Sequence, residues 1–410
     1  MLSIRAKGCV YMKRILLLGG SEQQIVAIRK AKELGYYTVL CDFLPDNPGQ
    51  YVADKFHLVS TTDKEAILSV AIEEKIDGIV AYASDPAAPT AGYVGEKLGL
   101  PTNPYNSVRI LGEKHLFREF LKNNQFNVPK SVYLEEWRDS IYNEIADFQF
   151  PIMVKPVDSS GSKGISKIDT VEKLKDAYGY ACTFSRNKII QIEEFITRDH
   201  DYLVGGDIFV MNGQVVFWGL LNCHRDLNVN PLVPVGKSFP LQLSQKRVDI
   251  IHSEVQRLMD SLNIKFGAFN VELIFDKNDR LYFIEMGPRN GGNMIPDLLS
   301  MISGRDMIEA TVRCAMGDFS YDMVFDGAPV FYATHNLHSD RDGIYEDIRF
   351  DQDLDRFIIR KNLYKKSGDA VFYFDGANKA LGIIFMKFDS FEQLCDYTSH
   401  INDHIEVLLK

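Results

Sequence analysis

Apolar positions along the chain fall into two textures. The first is an alternation of short unbroken apolar runs with helical stripes. Arg14–Leu18 (RILLL) is a run of the kind buried in a parallel sheet. Gly19-Gly20-Ser21 turns the chain into a stripe with Ile25, Ile28, Ala31 and Leu34 at spacings of three, ended by Gly35. Tyr37–Cys41 (YTVLC), Leu58-Val59, a helix near Lys64–Glu74 and Gly78–Ala81 (GIVA) repeat the rhythm, which predicts an open parallel α/β sheet. The glycine turn reads GGSEQQ rather than GxGxxG, so a dinucleotide site is not supported. Pro101 and Pro104 punctuate the exit, and a helix over Ser107–Asn123 carries Lys114. From about residue 150 the texture changes to strands with glycine turns: PIMVKP, the loop DSSGSKG, GISKI, KIIQIEEFI and DIFVMNGQVVFWGLL. Asn212-Gly213 marks a hairpin between two apolar runs, and GAFNVELIFDKNDRLYFIEMG reads as a second hairpin. Residues 328–410 read as a smaller unit of strands with a closing helix over Ser390–His404.

A length of 410 residues predicts two or three domains at ~150 residues each. Lys and Arg total 46 against 56 Asp and Glu, a formal net charge of −10. So acidic a surface argues against a protein that coats nucleic acid. No apolar run approaches the ~20 residues needed to span a bilayer. Residues 1–11 lack the apolar stretch of a secretory signal and are expected to be either a leader before structure begins at Met12 or the product of a start placed ahead of the true one at Met12. The six cysteines are scattered without a CxxC, as expected for reduced thiols in a cytoplasmic protein.

The second hairpin carries the most chemistry. With a loop at Lys277–Arg280, Asp276 opposes Leu281 and Glu272 falls directly opposite Glu285. Opposed like charges in apolar strands are destabilising and call for a proton or a cation between them. An all-oxygen environment suits Mg²⁺, held by carboxylates and substrate phosphates. The competing reading is two solvated glutamates on an exposed face. The polar, glycine-rich Pro288–Asn293 that follows favours the site, with Arg289 entering it as a fixed cation able to grip a carboxylate or phosphoryl oxygen.

Lys155 lies in an apolar strand, where an ammonium is costly unless it reaches an anion. The loop after it, Asp158–Gly164, has small residues whose N–H groups can fold over phosphates, although its spacing is not that of a Walker loop. IIQIEEFI ends in Glu193 and Glu194, a segment against which an adenine ring could lie. His400 with His404, and His335 with His338, lack metal-site patterns and read as solvated or core histidines.

In order along the chain, ILGEKHLFREFL, FPIMVKPVDSSGSKGISKI, IIQIEEFI, NVELIF and FIEMGPRNGGN resemble the ATP-grasp superfamily, in particular its carbamoyl-phosphate-synthetase-like and amino-acid-ligase branches. The resemblance covers most of the chain from Met12. It implies a fold that is α/β and α+β: an N-terminal Rossmann-like domain (12–103), a two-lobed ATP-grasp domain (104–327, lid lobe about 150–210) and a small C-terminal α+β domain (328–410). By resemblance, Lys114 and Lys155 contact the phosphates of ATP, and Ser160, Gly161, Ser162 and Gly164 close over them. Glu193, Glu194, Phe195, Ile196 and Ile284 hold the adenine, and Asp201 takes the ribose. Glu272 and Glu285 bind Mg²⁺ or Mn²⁺, and Arg289 steadies the acyl-phosphate. The family's asparagine two residues after the second metal glutamate is here Gly287, so Asn290 is the substitute ligand. His224 and Arg225 are expected to meet an anionic group of the substrate.

The expected activity is ATP-dependent ligation of a carboxylate to an amine or other nucleophile through an acyl-phosphate. Two readings compete with it: an enzyme that stops at a carboxylate- or bicarbonate-derived phosphate, and a non-catalytic ATP-binding protein. The expected partners are small molecules, with no nucleic acid or membrane, and a homodimer fits ligases of this kind.

Overall fold

The computed structural model describes residues 12–159, 161–325, 327 and 329–410. The expected leader and Ser160 lie outside the described residues. The chain divides into two units, one comprising the chain up to Thr102 with Ile308–Tyr321, the other Asn103–Met307 with Asp322–Lys410. The return of Ile308–Tyr321 to the first unit was not legible in the sequence.

The first unit is built on four parallel strands, β1 (Arg14–Leu18), β2 (Tyr37–Asp42), β3 (Lys55–Leu58) and β4 (Gly78–Val80), in the order β3-β2-β1-β4. The run at β1 is buried as its apolarity requires, and Ile308, Val312, Ala315 and Met316 join its core. The turn after β1 is closed by the chain itself. Gln24 Nε2 donates to Tyr82 O at 2.9 Å, and a Cβ at Gly19 would lie 2.2 Å from that nitrogen. The place where a dinucleotide phosphate would sit is therefore filled by a side chain.

Among the described residues the second unit holds three sheets. The lid strands β5 (Ser131–Leu134), β6 (Ile152–Pro156), β7 (Ser166–Ile168) and β8 (Ile190–Glu194) pair antiparallel in the order β5-β8-β6-β7. The large sheet takes β9 (Leu203–Met211), β10 (Gln214–Asp226), β11 (Asn230–Phe239), β12 (Gly267–Phe275) and β13 (Leu281–Gly287). The C-terminal region adds β14 (Phe331–Leu337), β16 (Ile358–Leu363) and β18 (Gly382–Phe388) to this sheet. The order is β13-β12-β9-β10-β11-β14-β18-β16, continued because β11 offers an open backbone edge to β14. The strands β15 (Gly343–Phe350), β17 (Ala370–Val371) and β19 (Ile405–Leu409) form the third sheet.

Alternation along the large sheet separates two faces. Val204, Ile208, Phe269, Val271, Leu273 and Phe275 pack with Ile251, Val255, Leu258 and Met259 of the helix Gln245–Ser261. The other face carries Asp207, Asn270, Glu272 and Glu285. Two expected elements differ. The helix over Ser107–Asn123 is broken into Tyr105–Gly112 and Lys114–Asn123, because Glu113 is extended (φ −122°, ψ 112°) and Lys114 N–H donates to Val157 O at 3.1 Å. The closing helix stops at Ser399, followed by a 3₁₀ turn over Ile401–His404. No helix among the described residues is long and apolar enough to cross a membrane.

Candidate active site

The two glutamates meet as the sequence predicts, by a route it does not. Phe275, not Asp276, opposes Leu281, because Asp276 is drawn into the loop, which its side chain closes by accepting N–H bonds from Asn278 (2.9 Å) and Arg280 (3.0 Å). That slip of one residue would turn Glu285 into the core. A bulge at Ile284 restores the phase, so Val271 opposes Met286 and Glu272 opposes Glu285. The bulge is held by Arg118, whose guanidinium donates to Phe283 O at 3.0 Å and Ile284 O at 2.8 Å. Arg118 was missed in the sequence, where it reads as one more charge on a helix.

Arg118 also reaches the lid sheet. Its Nε donates to Glu193 Oε2 at 2.9 Å, Gln191 Nε2 donates to the same oxygen at 2.9 Å, and Lys155 Nζ donates to Glu193 Oε1. All four side chains are buried. Burial alone would raise the Glu193 carboxyl, but Arg118 and Lys155 outweigh it and bring it down to about 2. Burial pulls the Lys155 ammonium below its usual range against the pull of Glu193. Glu193, expected at the adenine edge, thus spends its carboxylate on two cations. Glu194 accepts Gln149 N–H at 2.8 Å, while Phe195 and Asp201 are exposed and Ile196 is half-buried.

The break before Lys114 places its side chain between two expected parts of the site. Nζ donates to Ser159 O at 2.7 Å and lies 3.2 Å from Glu285 Oε1. Gly161 and Gly164 take positive φ (67° and 73°), and Ser162 Oγ donates to Leu232 O at 2.8 Å. The glycine loop is therefore tied to the β10–β11 hairpin at one point and to Glu285, through Lys114, at another. Arg225 Nη2 stands 3.9 Å from Glu272 Oε1. His224 does not join it. Alternation turns it to the opposite face, where its ring meets Tyr202 at 4.7 Å and Nε2 lies 2.8 Å from Ser238 Oγ. Burial, with Lys237 and Arg225 nearby, brings its pKa down to about 4.

Beyond β13, Arg289 O accepts Asn270 N–H at 3.0 Å, and its guanidinium lies within electrostatic reach of Asp207. Asp207 is wholly buried and accepts Gly291 N–H and Asn270 Nδ2. Burial raises its pKa. An acid inside the apolar run VGGDIFVM was the available signal for it. Asn290 is buried, and Gly287 stands directly opposite Asn270.

Among the described residues, no group of three or more His, Cys, Asp or Glu side chains is arranged to hold a metal. The opposed pair Glu272–Glu285 still fits a divalent cation that shares its remaining ligands with phosphate oxygens. In the structure Lys114 and Arg225 supply the counter-charge.

Residues 113–319 match the family described as carbamoyl-phosphate synthase L chain, ATP binding domain. The chain belongs to this family. It is an ATP-dependent ligase of ATP-grasp type, and the matched segment contains every constellation described above except the first unit's turn. Formate-dependent phosphoribosylglycinamide formyltransferase of Bacteroides thetaiotaomicron is 25% identical over 285 residues, 68% of this chain and 71% of that protein. The ATP-grasp fold recurs in the L-amino acid ligase of Bacillus licheniformis, with a TM-score of 0.77 at 18% identity, covering 97% of this chain and 99% of that one. The biotin carboxylase domain of Hydrogenobacter thermophilus 2-oxoglutarate carboxylase, solved with MgADP and bicarbonate, matches with a TM-score of 0.74 at 17% identity, covering 97% and 91%.

Proposed function

We propose that this ATP-grasp ligase activates a carboxylate as an acyl-phosphate and joins it to an amine or other nucleophile, releasing ADP and phosphate. The observation that carries the reading is the continuous line from the glycine loop through Lys114 to Glu285 and its partner Glu272. In this reading Lys114 and Lys155 neutralise the phosphates of ATP, and the loop N–H groups at Gly161, Ser162 and Gly164 cover them. Glu194, Phe195, Ile196 and Ile284 border the adenine, Glu193 holds Lys155 in place, and Asp201 meets the ribose. Glu272 and Glu285, with an oxygen from Asn290, would hold Mg²⁺ or Mn²⁺, which supplies charge neutralisation at the transferring phosphoryl group. Arg289 grips the carboxylate or its acyl-phosphate, and Arg225 faces the substrate. Closure of the lid excludes the water that would hydrolyse the activated acid. This reading sets the reaction in the cytoplasm, on small molecules, and expects a homodimer.

A nucleotide-binding protein without turnover is the second reading, drawn from Gly287. The retained Glu272, Glu285 and Arg289 weigh against it. Phosphate release is measured across carboxylate–amine pairs and with bicarbonate, with Glu285→Ala as the control. Substrate-stimulated ADP formation that Glu285→Ala abolishes supports the ligase. Stimulation by bicarbonate alone assigns the carboxylate-phosphate reading, and release indifferent to Glu285→Ala removes the site.

A further inference from the structure

Cys223 and Lys237 stand directly opposite each other on β10 and β11, and both are buried. Lys237 Nζ donates to Cys223 Sγ, and among the described residues no carboxylate lies within ion-pair distance of that ammonium. The two atoms converge over Gly205, where a Cβ would lie 2.3 Å from Sγ and 2.7 Å from Nζ. The neighbouring strand offers a glycine at this point, so sulfur and nitrogen meet with no side chain intruding.

The other described cysteines lack this arrangement. Burial pushes the thiols of Cys41 and Cys314 up to about 12, with carboxylates adding to the effect. Cys182 has Tyr178 as its neighbour, and Cys395 faces Gln242 Nε2 at 3.8 Å. Among the described residues, a cation rests on the sulfur of Cys223 alone. The thiolate is the form that attacks an oxidant, and a neighbouring cation favours it.

We propose that Cys223 and Lys237 form a reversible covalent cross-link, a sulfur–nitrogen bond made with hydrogen peroxide as the oxidant. The sulfur attacks a peroxide oxygen: an S–O bond forms, the O–O bond breaks and one water leaves, giving a sulfenic acid. The Lys237 nitrogen then attacks that sulfur. An S–N bond forms and the S–O bond breaks. Of the two protons the ammonium gives up, one leaves with the hydroxide as a second water and the other goes to solvent. Sulfur is oxidised and peroxide reduced; thiol, ammonium and peroxide become a sulfenamide, two waters and a proton. Backbone nitrogens close onto sulfenic acids in the same way, and here a side-chain nitrogen already touches the sulfur. Excess thiol reverses the link, returning thiol and amine and forming its own disulfide.

The link reaches the site in two ways. Leu221, two residues before Cys223, pairs with Gly205, and Gly205 pairs with Glu272, so the cation it neutralises lies on the face that carries Glu272. It also staples the hairpin to which Ser162 of the glycine loop is tied through Leu232 O.

The full chain is treated with hydrogen peroxide, remaining thiols are alkylated, and tryptic peptides are weighed. Cleavage after Arg225 parts Cys223 from Lys237. The link is therefore read as Asp199–Arg225 held to Asp226–Lys246, with cleavage after Lys237 lost and the summed mass short by two hydrogens. Dithiothreitol should release both peptides. Lys237→Met should leave Cys223 as a sulfenic acid that dimedone traps, and Cys223→Ser should show no link. An alkylated Cys223 with normal cleavage after Lys237 in treated wild type overturns the inference, as does a Cys223 that carries oxygen while its lysine stays free. The readout is a mass, so failure here leaves the ligase reading untouched.

Discussion

Glu193 is the keystone of the contact between the lid sheet and the large sheet, and replacing it with glutamine gives a measurable cost. The substitution keeps the volume and removes the charge, leaving Arg118 and Lys155 buried with no anion between them. The carboxyl stands at about 2 against 4.5 for an unperturbed one. At ~1.4 kcal/mol per unit, that displacement is worth about 3 kcal/mol of stability. Breaking a buried ion pair from one side costs ~3–5 kcal/mol in other proteins, so the two routes agree. The sign follows from the depressed carboxyl. The contribution is complete above the unfolded pKa near 4.5 and disappears as pH falls from there towards 2. Native-state hydrogen exchange of the paired amides of Val154 and Ile192 reads the lid sheet directly. Glu193→Gln should lower their opening free energy by about 3 kcal/mol at pH 7, with the gap closing below pH 4.5. A loss under about 1 kcal/mol, the worth of a neutral hydrogen bond, would refute the reasoning, as would a gap unchanged into acid.

Gly205→Ala forces a methyl into the contact of Cys223 with Lys237, so it should cost ~1–3 kcal/mol by denaturant unfolding. His224 and His335, brought down to about 4 and about 3 mainly by burial, stay neutral in the folded chain while the unfolded chain protonates near 6.5. Stability should therefore fall as pH drops from 6.5 towards 4, and ring-proton NMR should show neither residue titrating above pH 5. Ser162→Ala removes the bond that ties the glycine loop to Leu232 O; a loss of about 1 kcal/mol should appear as a several-fold higher KM for ATP with little change in kcat.

The large-scale plan was legible because apolar runs and glycine turns report sheet and loop directly. RILLL and YTVLC became β1 and β2, and Asn212-Gly213 became the turn between β9 and β10, both residues at positive φ. The opposition of Glu272 and Glu285 was legible too, although the loop assumed for it was one residue too short in its pairing. What the sequence concealed were choices made by tertiary contact. Glu113 leaves the helix so that Lys114 can bond to Val157 O, and nothing local in LGEKHL demands that. Arg118 and Asp207 are ordinary charges until the bulge and the buried turn surround them. His224 and Arg225 looked like a pair because they are adjacent, yet adjacency on a strand means opposite faces.

A strand carries one binary digit, the parity that decides which residues see the core. On β13 that digit is written twice, once by the loop at Asp276 and once by the bulge at Ile284, and the second reverses the first. Leu281 and Phe283 before the bulge, and Met286 after it, all belong to the same core. Flattening the bulge with Ile284 still in the chain would therefore exchange Glu285 with Met286, sending a carboxylate among phenylalanines and a thioether to face Glu272, whereas deleting Ile284 would leave a regular ladder with Glu285 still opposite Glu272. The side chain at Ile284 is secondary to the backbone bonds from Arg118 to Phe283 O and Ile284 O that hold the extra residue out of the ladder.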